Sequence, residues 1–318
     1  MKVAHGSRGR EAATPSAIPA RGWKDILLRV KDQVGADNIS IVAAGVAFYL
    51  FLALFPAIAA LVSVVGLVVN PGEIERYIAA AGEVMPPEAL AIVAGQVQQL
   101  ASASSRTLGV SLVVSVMLAL WSATAGTKAL MTALNIAYGE EERRGYLRYY
   151  GTAILLTLGA IAFAVLALAL VAVLPAVLAW LPVPQAVRTA LGLARWVILA
   201  GAFVLALAVV YRLAPDRRQP QWRWVSWGAA AATVLWLLGS ALFSIYVANF
   251  GDYNKTYGAI AAIVILLTWI YLTTFVVLLG AELNAEMEHQ TRVDSTVGAP
   301  RPMGRRGARV ADSLGESR

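Results

Sequence analysis

Apolar residues along the chain fall into long blocks separated by short polar breaks. Six blocks lie at about residues 40–69, 108–136, 149–174, 191–213, 224–249 and 257–283. Each is long enough for a helix to cross a hydrocarbon layer about 30 Å thick. The pattern therefore predicts an all-α polytopic membrane protein with six transmembrane helices. Pro56 lies inside the first block and predicts a kink there, because proline removes a backbone donor. Ahead of it, Trp23, Ile26, Leu27, Val30 and Val34 recur at helical spacing, with Lys24, Arg29 and Lys31 on other faces. This predicts an amphipathic helix over residues 17–39. It either lies on the membrane surface or caps the loops of the bundle, and the sequence favours neither. Residues 1–16 and 291–318 are rich in Gly, Ala, Ser, Pro and Arg and are expected to be disordered tails. The long segment 70–107 places Leu90, Val93, Val97 and Leu100 on one helical face and carries Glu73, Glu75, Glu83 and Glu88. It is expected to be a helical outer loop, a cap more than a ligand-gating lid.

Composition narrows the chemistry. Apolar residues make up 59% of the 318 and charged residues only 14%, where a soluble domain carries about a quarter charged. There is no cysteine, which excludes disulfides, thiolate nucleophiles and thiolate-held metals. The two histidines, His5 and His289, both lie outside the apolar blocks, so no metal site and no cofactor are expected. Asp residues are few and scattered, and there is no phosphate-cradling glycine loop and no nucleophile elbow, so no enzymatic activity is expected. Twenty of the 26 Lys and Arg fall before the first block, after the second, after the fourth or after the sixth, and four fall in the opposite loops. By the positive-inside rule both termini are cytoplasmic, with Trp222, Trp224 and Trp227 at that interface. The net charge of +7 then reflects basic loops near anionic lipid and not nucleic-acid binding.

The second block carries the most informative polar positions. At 100° per residue Trp121, Thr124, Ala125, Lys128, Thr132 and Asn135 fall on one stripe. A charge at mid-bilayer costs about 2.5–3.5 kcal/mol on insertion scales, so an intramembrane lysine is a candidate for function. Lys128 either lines a cavity that accepts an anionic head group or snorkels to the interface. In the sixth block Thr268, Tyr271, Phe275 and Glu282 share a face, and Glu282 offers a partner that Lys128 could reach. Gly280 and Asn284 would allow close helix approach and an interhelical hydrogen bond, and the small residues 228–232 predict a packing face. Asn249, Asp252, Tyr253, Asn254 and Tyr257 form a polar outer turn, read as a tight hairpin or an outer gate. Arg195 is read as snorkelling outward to lipid phosphates, and Glu140–Glu142 with Arg143 and Arg144 as a solvated loop cluster.

Three segments carry a resemblance. They are Asp37-Asn38 through Ala47-Phe48-Tyr49 to Leu54-Phe55-Pro56, LWSATAGTKALMTALNIAYGEEE from Leu120 to Glu142, and YNKTYGAIAAIVILLTWIYLTTFVVLLGAELNAE from Tyr253 to Glu286. Over about residues 20–290 the chain resembles the YihY/BrkB family of bacterial inner-membrane proteins. The resemblance implies six helices in the inner membrane, labels such as virulence factor and ribonuclease BN, and a suggested link to lipid or envelope transport. The residues and the resemblance together predict transport or transbilayer movement of an amphipathic, anionic lipid or solute. Trp121, Thr124, Lys128, Thr132, Asn135, Tyr271 and Glu282 would line a path between spans one, two, five and six. The alternative is a non-transporting envelope assembly or scaffold protein, in which the 140–148 charges and the surface helix dock envelope partners. Membrane lipids are the expected partners in either case; small-residue faces allow a homo-oligomer without requiring one.

Overall fold

The computed structural model describes residues 8–68, 105–181, 184–249 and 259–317. Among them there are nine α-helices and no strand. We number them α1 (Ala20–Ala36), α2 (Ile39–Val68), α3 (Ser105–Ala137), α4 (Tyr146–Leu168), α5 (Leu174–Trp180), α6 (Gln185–Leu213), α7 (Trp222–Asn249), α8 (Ala259–Glu288) and α9 (Arg309–Asp312). The expected outer loop lies almost wholly outside the described residues. Five helices (α2, α4, α6, α7 and α8) are long and apolar enough to cross a membrane. The 33-residue α3, at about 1.5 Å per residue, matches them in length.

The helix boundaries follow local chemistry. Asn38 has a positive φ of 51°, a conformation asparagine tolerates better than most residues. It separates α1 from α2, and its carbonyl accepts the Ile41 and Val42 amides at 2.8 and 3.0 Å, opening α2. α2 then runs through Pro56 without a break. α3 ends in a Schellman turn: the Glu140 amide donates to the Asn135 carbonyl at 2.8 Å and the Gly139 amide to Ile136 at 2.9 Å. Gly139, with φ 62°, supplies the left-handed residue this turn requires. The third predicted span, 149–174, is not one regular helix. α4 passes into a π-turn over Ala169–Val173, and α5 restarts just ahead of Pro175, which cannot donate to the preceding turn. α6 begins at Gln185, earlier than the predicted 191, directly after Pro184. α8 extends to Glu288, beyond the predicted 283, because nothing in Ala281–Glu288 breaks a helix.

The core lies in the half of the bundle where the two ends of the chain meet. Ile39, Met131, Leu134, Tyr138, Tyr211 and Leu278 are fully buried there. α7 and α8 cross at their small residues. A methyl group on Gly280 would meet the Tyr211 hydroxyl at 2.5 Å, and Ala232 and the Gly228 carbonyl oxygen at 2.8 Å. The Asn284 side chain accepts the Gly228 amide at 2.9 Å and donates to the Val225 carbonyl at 3.3 Å, the interhelical bond that Gly280 and Asn284 suggested. In the other half, large apolar side chains such as Leu52, Met117, Val165, Leu193 and Leu242 face outward. Such a surface suits hydrocarbon, which satisfies no polar group.

Both segments expected to be disordered tails are packed where described. Ile18 and Ala12 are buried beside Ile26, Trp224 and Met287, so α1 and the turn before it cover the end of α8. Beyond α8 the chain folds back through the left-handed Gly298, Gly304 and Gly307. Asp312 accepts the Gly304, Arg306 and Gly307 amides at 2.8–3.0 Å, and Asp294 accepts those of Thr296 and Arg301 at 2.9 and 2.8 Å. Side chain to backbone bonds and one buried arginine, Arg306, order this segment. Low apolar content therefore gave the wrong expectation.

Candidate functional site

Lys128 projects from α3 into a cavity of about 400 Å³, walled by Gly45 and Tyr49 of α2, Ala125 and Thr132 of α3, and Tyr149 of α4. The cavity exists because Gly45 and Ala125 fill little space where the helices meet. The Lys128 ammonium lies 4.6 Å from the centre of the Tyr150 ring and 3.4 Å from its hydroxyl. Tyr146 packs on Tyr150 with ring centres 4.3 Å apart. A cation over an aromatic face gains about 0.5–1 kcal/mol when exposed and about 2 when desolvated. The tyrosine pair thus steadies the lysine without neutralising it, and its charge stays available to an anion.

The other predicted path residues divide. Thr132 shares the cavity wall; its hydroxyl donates to the Lys128 carbonyl at 3.1 Å. Thr124 is buried and donates to the Leu120 carbonyl at 2.6 Å, leaving it little capacity for a ligand. Trp121 is 73% exposed and turns to the outside of the bundle. Asn135 is buried beneath the loops: it donates to Glu142 at 3.1 Å and accepts the Asp216 amide at 2.8 Å. The Tyr271 hydroxyl joins Ser40 at 2.7 Å, tying α8 to α2. Glu282 is fully buried and its nearest charges are Asp37 and Glu286, while Lys128 turns to Tyr150. The suggested Lys128–Glu282 pair does not form. The cavity accordingly lies between α2, α3 and α4, not between spans one, two, five and six: Tyr149 supplies its wall on the third span, while Tyr150, packed on Tyr146, meets the lysine. α7 ends at Asn249, while Asp252, Tyr253, Asn254 and Tyr257 of the outer turn lie outside the described residues.

The terminal face holds a charged network that the sequence reading missed. Arg29 of α1 pairs with Glu286 of α8 through a short contact and donates to Gln290 at 2.8 Å. Arg217 pairs with Glu288 at 2.6 Å, and both side chains are fully buried. Ser295 adds a bond to Glu288 at 2.5 Å. Burial holds the Asp37 carboxyl above its ordinary range, whereas a hydrogen bond from Arg144 holds Glu142 below its own. One signal was present in the sequence. Glu282, Asn284, Glu286, Glu288 and Gln290 make the end of α8 polar on two opposite faces, and such a helix end needs cations or donors around it.

Long apolar helices, closed at one end by an ion-paired face, define a multi-pass helical membrane protein. Residues 30–303 match the family described as virulence factor BrkB, and the chain belongs to that family. It is 29% identical over 256 residues to the ribonuclease-like protein YfkH of Bacillus subtilis, covering 79% of this chain and 90% of that protein. It is also similar to UPF0761 membrane proteins: 42% identical over 80 residues to one of Idiomarina loihiensis and 39% over 101 residues to one of Vibrio cholerae. Those two matches span 28% and 32% of the relatives' own lengths. No solved structure matches the chain.

Proposed function

We propose that the protein is a six-span protein of the bacterial inner membrane, with cytoplasmic termini, that moves an amphipathic anionic lipid or solute between leaflets. The observation that carries this reading is the Lys128 cavity. It combines one intramembrane cation, steadied by Tyr150, with small and aromatic walls about the size of a head group. In this reading Lys128 attracts the anion, Thr132 and Tyr149 bound its path, and α3 is the sixth span. The twenty-to-four distribution of basic residues supports the orientation. The reading is non-enzymatic, on the compositional grounds given above.

The scaffold alternative rests on the loop charges at 140–148 and on the surface helix; of those charges Glu141, Arg143 and Arg148 are exposed, while Arg144 and Glu142 bond back to the bundle. Arg144 bonds Glu142 and the Ala214 carbonyl, and Glu142 bonds Asn135. The Arg143–Glu141 pair is well exposed. The cavity around Lys128 makes transport the stronger reading.

The test uses purified protein in liposomes, with labelled anionic and zwitterionic phospholipids. Wild-type protein should speed the crossing of the anionic lipid. Lys128→Ala should slow it about tenfold, and Tyr150→Phe, which keeps the ring, by less. Full activity in Lys128→Ala, with normal expression, would overturn the lysine's role.

A further inference from the structure

A second cavity, of about 590 Å³, opens on the terminal face, away from Lys128. Three stretches distant in sequence build it: the loop after α3 with the start of α4, the loop after α6, and the fold-back with the start of α9. Arg143, Arg148, Arg217, Arg218 and Arg309 line it, against Glu140, Glu141 and Asp216. The acids are already engaged. Glu141 pairs with Arg143 at 2.8 Å, Asp216 accepts the Arg143 amide at 2.7 Å, and Glu140 accepts the Arg309 amide at 2.7 Å. Burial also raises Glu140 above the ordinary carboxylate range.

The arginines are less satisfied. Arg148, Arg218 and Arg309 form no ion pair among the described residues. Arg217 is held in place by Glu288 and by stacking 4.9 Å from the Tyr138 ring centre, yet its Nη1 is buried with no hydrogen-bond partner among the described residues. Arg218 Nη1 is in the same state. An unmet buried donor is costly, and more so on a charged group. Gly139 and Gly307, with φ of 62° and 71°, lie in the lining; the Arg309 side chain packs over Gly139, and Gly307 leaves its backbone open to close approach. The guanidinium fork matches phosphate oxygens two at a time.

We propose that this cleft binds a phosphate-bearing anion. A smaller cavity of about 100 Å³ shares Arg148, Asp216 and Arg217 with it and continues to Thr152 and Leu155 on α4. The phosphate can thus arrive on a soluble molecule or on a lipid head group. The site stands apart from the Lys128 reading and does not require transport.

The experiment titrates inorganic pyrophosphate calorimetrically into full-length protein in neutral detergent, where no transbilayer movement takes place. Saturable binding should appear and weaken as ionic strength rises. Arg218→Gln and Arg148→Gln should each weaken it about tenfold. Lys31→Gln, which removes an exposed charge on α1, should leave it unchanged. Size-exclusion profiles matching wild type establish that the variants fold. The titration is repeated in nanodiscs of phosphatidylcholine alone and with phosphatidylglycerol. Loss of pyrophosphate binding only with phosphatidylglycerol assigns the site to a lipid head group; retained binding in both assigns it to a soluble anion. Absence of binding in detergent, or binding unaltered in both arginine variants, overturns the proposal.

Discussion

Gly280 has one hydrogen where any other residue would place a carbon among the Tyr211 hydroxyl, Ala232 and the Gly228 carbonyl oxygen. Two of these three are backbone or a Cβ fixed to it, and neither can swing aside. The Tyr211 hydroxyl is itself committed, donating to the Val277 carbonyl at 2.7 Å. Gly280→Ala should therefore destabilise the α7–α8 crossing by about 1–3 kcal/mol, the usual cost of overpacking. A lowered thermal midpoint in detergent would check this. Gly159→Ala, where a methyl would meet nothing within 4 Å, serves as the comparison. The crossing was readable in the sequence, because Gly228–Ala232 and Gly280 are clusters of small residues in otherwise bulky helices. Tyr211 as the third member was not: α6 also carries Trp196 and Phe203, and nothing in the sequence singles out the aromatic that reaches α8.

The end of α3 shows how an element is stopped and then pinned. The Schellman turn at Gly139 frees the chain to reverse, and Glu142 then returns to Asn135 while Arg144 closes on Glu142 and on the Leu213–Ala214 carbonyls. The hydrogen bond from Arg144 holds the Glu142 pKa below the ordinary 4.5. A carboxyl depressed in the folded state binds fewer protons folded than unfolded. Its stabilisation is complete above 4.5 and is lost as pH falls through the folded value. Thermal midpoints should therefore drop as the buffer is acidified below that value, and Glu142→Gln should flatten this part of the profile. The long apolar helices were legible from length and hydropathy alone. Asn135 was legible as polar but misassigned to a substrate path, since helical periodicity gives a face and not the loop that folds over it.

Across the whole molecule, pairs remote in sequence hold the terminal face together. Arg29 and Glu286 are 257 positions apart and both are buried. Removing one partner leaves an uncompensated buried charge, so Arg29→Met should cost about 3–5 kcal/mol. Arg29→Met with Glu286→Leu should recover much of that, as a double-mutant cycle on thermal unfolding would reveal. This organisation was hidden in the sequence. The tails carry few apolar residues, and ordering through ion pairs and carboxylate-to-amide bonds leaves no hydropathy signal. The Lys128 position was legible as a charge inside an apolar block. Its tyrosine partners on the third span were not, because they sit at a span end where aromatic residues are common in any membrane protein.

The joining of the two chain ends also sets a timetable for synthesis. The Arg10 carbonyl accepts the Arg292 amide, the Arg10 side chain donates to Gly315, and Gln290 donates to the Arg8 carbonyl. A ribosome makes α1 well before Trp224 and Met287, which bury it. At about 5–20 residues per second, roughly 13–50 s separate the emergence of Arg29 from that of Glu286. Through that interval α1 presents Ile26 and Val30 to whatever surrounds the nascent chain. The closing of this face thus waits for Glu286, and translation that stops before it leaves Arg29 without its buried partner.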